Sequence, residues 1–314
     1  MKSALTPTGL AVLVPCHNCA EFITECLESI QAQDLGGWRL LVADDASEDG
    51  TADIVAAIAA HTMDPRITLH RGAPRAHLMG NILAGLRELD PGPAEVVAVV
   101  DGDDHLLPGA LARIMEAHTK GFDLVYTDMR IDGSEGSLGA QLLDTLPPRQ
   151  QLWCVSHLRS FKGYLLDSLA DDLFRDEGGE YFRAAGDLSL YLPLAEAAGP
   201  GKTLFLPEKL YRYRVHERCN FKHRRAEQLA NNALIRSRPP LAPQTNHFDF
   251  SETVTDLDKL GLRALGQEVR ARTPRPYSVC LEHVVDASQA DSWRAYHNLW
   301  IAEGVYLRGT VEGP

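Results

Sequence analysis

No stretch of the 314-residue chain is an apolar run long enough to cross a bilayer. Leu10 to Val14 is too short for the apolar region of a signal peptide, and nothing else near the N-terminus resembles one. Both absences predict a cytoplasmic protein, with peripheral contact to the inner face of a membrane as the alternative. Basic residues are in deficit: 31 Lys and Arg stand against 43 Asp and Glu, for a net charge of −12. That excludes a general nucleic-acid binder, which needs a basic face, but not one local phosphate site. There is no Gly-x-Gly-x-x-Gly after the first apolar run and no Gly-x-x-x-x-Gly-Lys-Ser/Thr anywhere. A classical dinucleotide fold and a P-loop enzyme are thereby excluded. Cysteine is sparse and scattered, at six residues. Cys16 and Cys19 form a Cys-x-x-Cys, but one ends a strand, the other opens a helix, and no second pair is near. Reduced thiols are expected rather than zinc or a redox pair. No repeat recurs at solenoid periods.

What the chain does have is centred on Val96–Leu107. Val96 to Val100 is a run of small, mostly β-branched residues, as in a parallel strand buried on both faces. It stops at three carboxylates, Asp101, Asp103 and Asp104, and Pro108 is expected in the first turn of the next helix. In open α/β sheets ligands bind beyond the carboxyl ends of strands. Acids there can face a hard divalent cation that keeps a phosphate as partner. Taken alone, a polar turn with capping aspartates explains the same residues.

The rest of the N-terminal half supplies the frame. Strands are expected at Leu10–Val14, Trp38–Ala43, Ile67–His70 and Phe122–Thr127. Helices are expected at Phe22–Gln33, after an N-cap at Thr51, at Arg75–Leu89 and at Pro108–Lys120. This β-α-β-α alternation implies parallel strands joined by right-handed crossovers. Farther on, Gly133–Pro148 reads as loop and Trp153–Leu173 as partly helical. Leu188–Ala198 is expected to be a helix capped by Asp187, and Thr203–Leu206 and Lys209–Arg214 to be strands. Alternation puts Arg212 and Arg214 on one face of the last strand and Tyr211 and Tyr213 on the other.

The order of motifs is similar to that of the family 2 glycosyltransferases over roughly residues 8 to 225. The residues that carry the resemblance are Val14-Pro15-Cys16-His17-Asn18, Val42-Ala43-Asp44-Asp45, Asn81, Val100-Asp101-Gly102-Asp103-Asp104, Gly186-Asp187 and Leu210-Tyr-Arg-Tyr-Arg-Val-His216. The resemblance implies an α/β fold of the GT-A type, a Rossmann-like nucleotide-binding sheet flanked by helices. It implies an inverting enzyme that moves a sugar from a nucleoside-diphosphate sugar to an acceptor hydroxyl, in polysaccharide or glycoconjugate synthesis of the bacterial type. Pro15, His17, Asp44, Asp45, Arg75, Asn81, Asp101 and Asp103 would contact the donor. Asp45 is the preferred partner of a pyrimidine N–H, which favours UDP-sugars. Asp103, with His216, would hold Mn²⁺ or Mg²⁺, and Asp101 would lie by the ribose. Asp187 would be the general base, with Glu180 as fallback. The family carries an acid where Gly186 stands, and that departure weakens the base assignment. His157, Arg159, Phe161, Lys162 and Tyr164 would line the acceptor side or form an ordinary basic surface helix. Arg212, Arg214 and Arg218 are candidate phosphate partners.

Two other readings stay open: a nucleotidyltransferase on a similar layer, and a nucleotide-sugar-binding or scaffold protein without turnover. The domain is expected to span residues 1–236. Residues 237–314 would form a linker and a smaller, partly helical C-terminal appendage. A helix is expected at Leu257–Arg272, a strand at Tyr277–Val285, and an aromatic stripe at Trp293, Tyr296 and Trp300. The stripe would pack on the catalytic domain, touch a membrane or make a homodimer. The acceptor would be a glycan or a lipid-linked molecule.

Overall fold

The computed structural model describes residues 7–136, 138–219 and 223–244, together with the backbone of 280–286 and 306–312. The chain divides into two units, Thr6–Gln244 and a second made of Met1–Leu5 with Thr245–Pro314. In the second unit, β9 (Cys280–Asp286) and β10 (Tyr306–Glu312) pair in parallel, Cys280 opposite Tyr306. β9 overlaps the strand expected at Tyr277–Val285. The helix expected at Leu257–Arg272 and the aromatic stripe lie outside the described residues. No helix among the described residues is long and apolar enough to cross a membrane.

The first unit is built on one eight-stranded sheet, ordered β3-β2-β1-β4-β7-β6-β8-β5. Its first half follows the sequence pattern. β1 (Leu10–Cys16), β2 (Trp38–Asp44), β3 (Ile67–Arg71) and β4 (Val96–Val99) are parallel neighbours. β1 and β4 are buried at every position, which is why they are continuous apolar runs rather than alternating ones. α1 (Ile23–Gln31) buries Ile23, Cys26, Leu27 and Ile30, one face at helical spacing. α2 (Thr51–Thr62) and α3 (His77–Leu89) make the next crossovers, and α3 lies on β1 and β2. Two helix starts differ from expectation. Thr51 is the first residue of α2, and Gly50, left-handed at φ 90°, precedes it as the cap. The helix after β4, α4 (Ala110–Thr119), is likewise preceded by left-handed Gly109, which leaves Pro108 outside its first turn.

The second half of the sheet departs from the parallel pattern. β7 (Arg159–Lys162) runs antiparallel between β4 and β6 (Leu124–Ile131). It occupies part of the segment expected to be helical. Its sequence, Arg-Ser-Phe-Lys, reads as surface, yet all four residues are buried. Each polar side chain meets a specific partner. Lys162 pairs with Asp123 at 2.9 Å, both side chains at most 1% exposed, and Ser160 lies 2.9 Å from His118 Nε2. Arg159 reaches Asp187. Burying such groups unpaired would cost several kcal/mol each, so the pairings are what permit a polar strand here. Beyond it, β8 (Thr203–Tyr213) is one strand rather than two. It lies parallel to β6 and is kinked where the register slips between Thr127 and Met129. The short β5 (His105–Leu106) pairs antiparallel with its end. α5 (Gly186–Ala198) and α6 (Arg225–Ser237) complete the unit.

Candidate functional site

The carboxyl ends of β1, β2 and β4 open into one cleft of about 440 Å³, closed on its other side by the turn after β8. The loops after β1 and β2 are tied to each other. His17 Nδ1 donates to the Asp45 carbonyl at 2.8 Å. The Asn18 amide donates to Ser47 Oγ, and the Cys19 amide to Thr51 Oγ1, each at 2.8 Å. Asp49 Oδ1 accepts from both the amide and the hydroxyl of Thr51. Asp49 thus does the capping work expected of Thr51.

Within this frame the two acids after β2 separate. Asp44 is 3% exposed, accepts from the Ser47 amide at 3.1 Å and is absent from the cleft wall. It holds the turn. Asp45 lines the cleft, anchored by the Ala76 amide on Oδ1 at 2.6 Å, with Arg75 Nε 3.6 Å from Oδ2. Asn81 also lines it and ties α3 to the end of β2, donating to the Ala43 carbonyl at 2.7 Å.

The acids after β4 divide in the same way. Asp104 is 1% exposed; Oδ2 accepts from the Tyr211 hydroxyl at 2.9 Å and Oδ1 from the Arg214 amide at 2.7 Å. Burial, with Asp103 and Asp101 beside it, pushes its carboxyl well up. It welds the loop to β8. The Tyr211 hydroxyl also accepts from the Asp101 amide at 3.1 Å. Gly102 is where the loop passes β1: a Cβ there would meet Cys16 Cβ at 2.6 Å. Asp101 has 34% of its side chain open, into the cleft; enclosure and Asp103 push it up to about 7, against Arg159.

Asp103 meets His216 from the turn after β8, Oδ2 to Nε2 at 2.9 Å. The imidazole stacks on Phe22 at 5.0 Å, and its Nδ1 accepts the Arg218 amide at 3.2 Å. This carboxylate and imidazole are donors that suit Mn²⁺, and they come from separate elements. A second group of donor atoms lies deeper. Asp101, Asp104 and His157 each offer one within 4.8 Å of the others. His157 is 8% exposed, and its Nδ1 has no hydrogen-bond partner and lies 3.9 Å from Asp101. Burial, aided by Arg159, holds that ring well below the usual histidine range. In this group both Asp104 oxygens are already bonded to protein donors. The Asp103–His216 pair is the better cation seat.

Of the residues expected from the sequence, Pro15, His17, Asp45, Arg75, Asn81, Asp101, Asp103 and His216 share this cleft, and Asp44 and Asp187 do not line it. Asp187 lies in the first turn of α5, after left-handed Ala185, so it is not the N-cap. It accepts from Trp153 and Arg159, and its charge adds to the upward push on Asp101. Glu180 is exposed and off the cleft wall. Phe161, Lys162 and Tyr164 are core residues rather than acceptor-site ones. Arg212 and Arg214 are engaged with Asp132 and Glu25, while Arg218 does line the cleft. Gly186 fits closely: a Cβ there would lie 3.0 Å from Met79 Sδ and 3.1 Å from Leu78 Cδ2. The space an acidic side chain would need is filled by α3. His77, Arg183 and Arg224 line the cleft without having been expected, since nothing in their local pattern sets them apart from surface residues.

Comparison with known proteins agrees with this geometry. The profile "Glycosyl transferase family 2" matches residues 11–164. EpsE of Bacillus subtilis (strain 168) is 31% identical over 141 residues, 44% of this chain and 49% of that protein. The GalNAc(5)-diNAcBac-PP-undecaprenol beta-1,3-glucosyltransferase of Campylobacter jejuni is 31% identical over 137 residues, 42% of this chain and 41% of that one. The chain thus spans about half the length of the curated relatives it matches. Among solved structures, the Pyrobaculum calidifontis mannosyltransferase PcManGT, in complex with GDP-Man and Mn²⁺, superposes with a TM-score of 0.58 at 20% identity, covering 96% of this chain and 86% of that one. S. aureus TarS 1-349 with UDP-GlcNAc gives 0.52 at 18% identity, over 69% and 61%. The fold is that of the GT-A glycosyltransferases, and residues 11–164 belong to glycosyl transferase family 2.

Proposed function

We propose that this family 2 glycosyltransferase moves a sugar, with inversion, from a nucleoside-diphosphate sugar to an acceptor hydroxyl, with UDP-sugars as the favoured donors. The observation that carries the reading is the convergence of Asp103 and His216 at 2.9 Å on a cleft whose far wall holds Asp45 and His17. One end suits a diphosphate and its cation, the other a base. Asp45 Oδ2 remains beside Arg75 to accept a pyrimidine N–H, while Oδ1 is kept in place by the Ala76 amide. Asp101 lies between, toward the ribose. TarS, which shares the fold, was solved with UDP-GlcNAc, and PcManGT with GDP-Man and Mn²⁺.

Asp103 and His216 would hold Mn²⁺ or Mg²⁺. When bound, the cation supplies Lewis-acid stabilisation of the charge that develops on the leaving diphosphate. Ligation through His216 Nε2 needs its proton to move to Nδ1, so the Arg218 amide must let go of that nitrogen. Arg218, donating to the Asn18 carbonyl at 2.9 Å, stands over the same mouth as a phosphate partner. Asp187, on the sheet side of the cleft, is the base that takes the acceptor's hydroxyl proton. Inversion follows when that attack comes from the face opposite the departing diphosphate.

A thermal-shift panel of UDP, dTDP, GDP and CMP, with and without Mn²⁺, tests the donor assignment. UDP with Mn²⁺ should raise the midpoint most, as a ligand that binds only the folded state must. Release of nucleoside diphosphate from the matching sugar donor identifies transfer, and release of pyrophosphate would instead identify a nucleotidyltransferase. A panel in which no nucleotide moves the midpoint would overturn the reading.

A further inference from the structure

Asp187 is gripped by one oxygen. Trp153 Nε1 and an Arg159 Nη2 each donate to it at 3.1 Å, and both bonds end on Oδ2. Among the described residues no donor reaches Oδ1. Arg159 is itself held on several sides. Its Nε donates to the Val155 carbonyl at 3.0 Å, its guanidinium lies 5.0 Å from the centre of the Tyr191 ring, and its side chain is 11% exposed. Tyr191 stands four residues after Asp187 on α5. One face of that helix therefore carries both the carboxylate and the ring that braces the carboxylate's partner. Arg159 begins β7, the strand paired to β4, so it is fixed to the same sheet that carries the acidic loop.

We propose that Trp153 and Arg159 are positioning residues that hold Asp187 through Oδ2 and leave Oδ1 as the atom that receives the acceptor's proton. The inference rests on Asp187 being the base. Two donors on a single oxygen oppose the half-turn of the carboxyl that would exchange Oδ1 and Oδ2. They also decide where a proton can go. If Oδ1 takes it, Oδ2 becomes the carbonyl oxygen of the acid and still accepts both bonds. If Oδ2 took it, the new O–H would face two N–H donors, and at least one bond would be lost. The step balances. The acceptor O–H proton passes to Oδ1, the oxygen's electron pair forms the new bond to the anomeric carbon, and the old bond's pair leaves on the nucleoside diphosphate. Burial of Arg159 and its stacked contact keep this geometry rigid, as a near-attack arrangement requires.

Trp153→Phe is the main test, because it keeps an aromatic ring and removes only the N–H. Arg159→Lys keeps the charge but cannot brace and donate at once, and Asp187→Asn is made alongside. Nucleoside-diphosphate release is followed with Mn²⁺ and whichever of UDP-glucose, UDP-N-acetylglucosamine or GDP-mannose the wild type turns over fastest. UDP affinity and circular dichroism are measured on every variant. We expect Trp153→Phe to lower kcat about tenfold with the donor KM within about twofold, the size of one hydrogen bond to a charged group. Arg159→Lys should fall further, and UDP affinity should be unchanged in both. The Trp153 indole N–H resonance should move in Asp187→Asn, which reports the bond independently of turnover. If Asp187→Asn is inactive while Trp153→Phe keeps kcat within about twofold of wild type, the positioning role is overturned and the base survives. If Asp187→Asn itself keeps near-normal turnover, the base assignment fails and this inference fails with it.

Discussion

Tyr211→Phe isolates one atom that serves two parts of the site. The Tyr211 hydroxyl donates to Asp104 Oδ2 at 2.9 Å and accepts from the Asp101 amide at 3.1 Å, on a side chain that is 0% exposed. Removing it leaves a backbone N–H unpaired in the interior and takes one of two donors from a buried carboxyl whose other oxygen is held by the Arg214 amide at 2.7 Å. A buried group left unsatisfied costs about 1–3 kcal/mol. The two losses share one oxygen and so do not add in full, which puts the expected destabilisation at about 2–4 kcal/mol. For a unit of this size each kcal/mol lowers Tm by about 2–4 °C. Urea unfolding followed by tryptophan fluorescence should show a lower midpoint at unchanged slope. The acidic loop should also loosen, so Mn²⁺-dependent UDP binding should weaken by about tenfold, an increment of about 1.4 kcal/mol. A loss of stability below about 1 kcal/mol would refute the view that this hydroxyl welds the loop to β8.

Three further outcomes follow from the same geometry. Asp103→Ala and His216→Ala should each abolish the gain in UDP affinity that Mn²⁺ brings while leaving metal-free UDP binding within about twofold, measurable by calorimetry; an unchanged metal effect in either would move the cation elsewhere. Gly186→Glu, which installs the acid usual in the family, should destabilise by about 1–3 kcal/mol through overpacking against Met79 and Leu78, and a neutral or stabilising effect would contradict the close approach. His118 is held down to about 3 by burial, with Nδ1 donating to the Phe122 carbonyl at 3.0 Å. A depressed histidine gives stability that is full above its unfolded value and lost as pH falls toward the folded one. Between about pH 6 and pH 4 the wild type should therefore lose up to about 1.4 kcal/mol per unit more than His118→Gln, read from urea midpoints; parallel profiles would count against it.

The donor half of the fold was open to the sequence because its physics is local. Strands buried on both faces must be apolar runs, and their ends must be polar where the cleft begins, so β1, β2 and β4 and their acids announce themselves. β7 could not. Arg159, Ser160 and Lys162 are tolerable inside only because Asp187, His118 and Asp123 wait for them from distant parts of the chain. No window of sequence displays such pairings. The same limit separates Asp45 from Asp44 and Asp103 from Asp104. Each pair is two adjacent acids on paper, and only the amide or hydroxyl that meets one of them shows which is structural. Tyr211 was legible as a probable core face of an alternating strand, but not as the hinge between two carboxylates. Trp153, inside a segment read as partly helical, carried no signal of its role.

Reversing one strand has a consequence for how such a chain can diversify. β7 divides the sheet into a portion that grips the donor, β3-β2-β1-β4, and a portion, β6-β8-β5, that shapes the opposite wall. The family profile runs to residue 164, just past the end of β7 at Lys162. The shared part of the molecule thus includes the whole donor-gripping portion and closes with the strand that seats Arg159. Everything after it, including α5 with its carboxylate, hangs from that seam and can be exchanged for another shape without disturbing how the nucleotide is gripped. The antiparallel strand therefore works as a graft junction: a constant stock on one side, and on the other a scion free to suit a new acceptor.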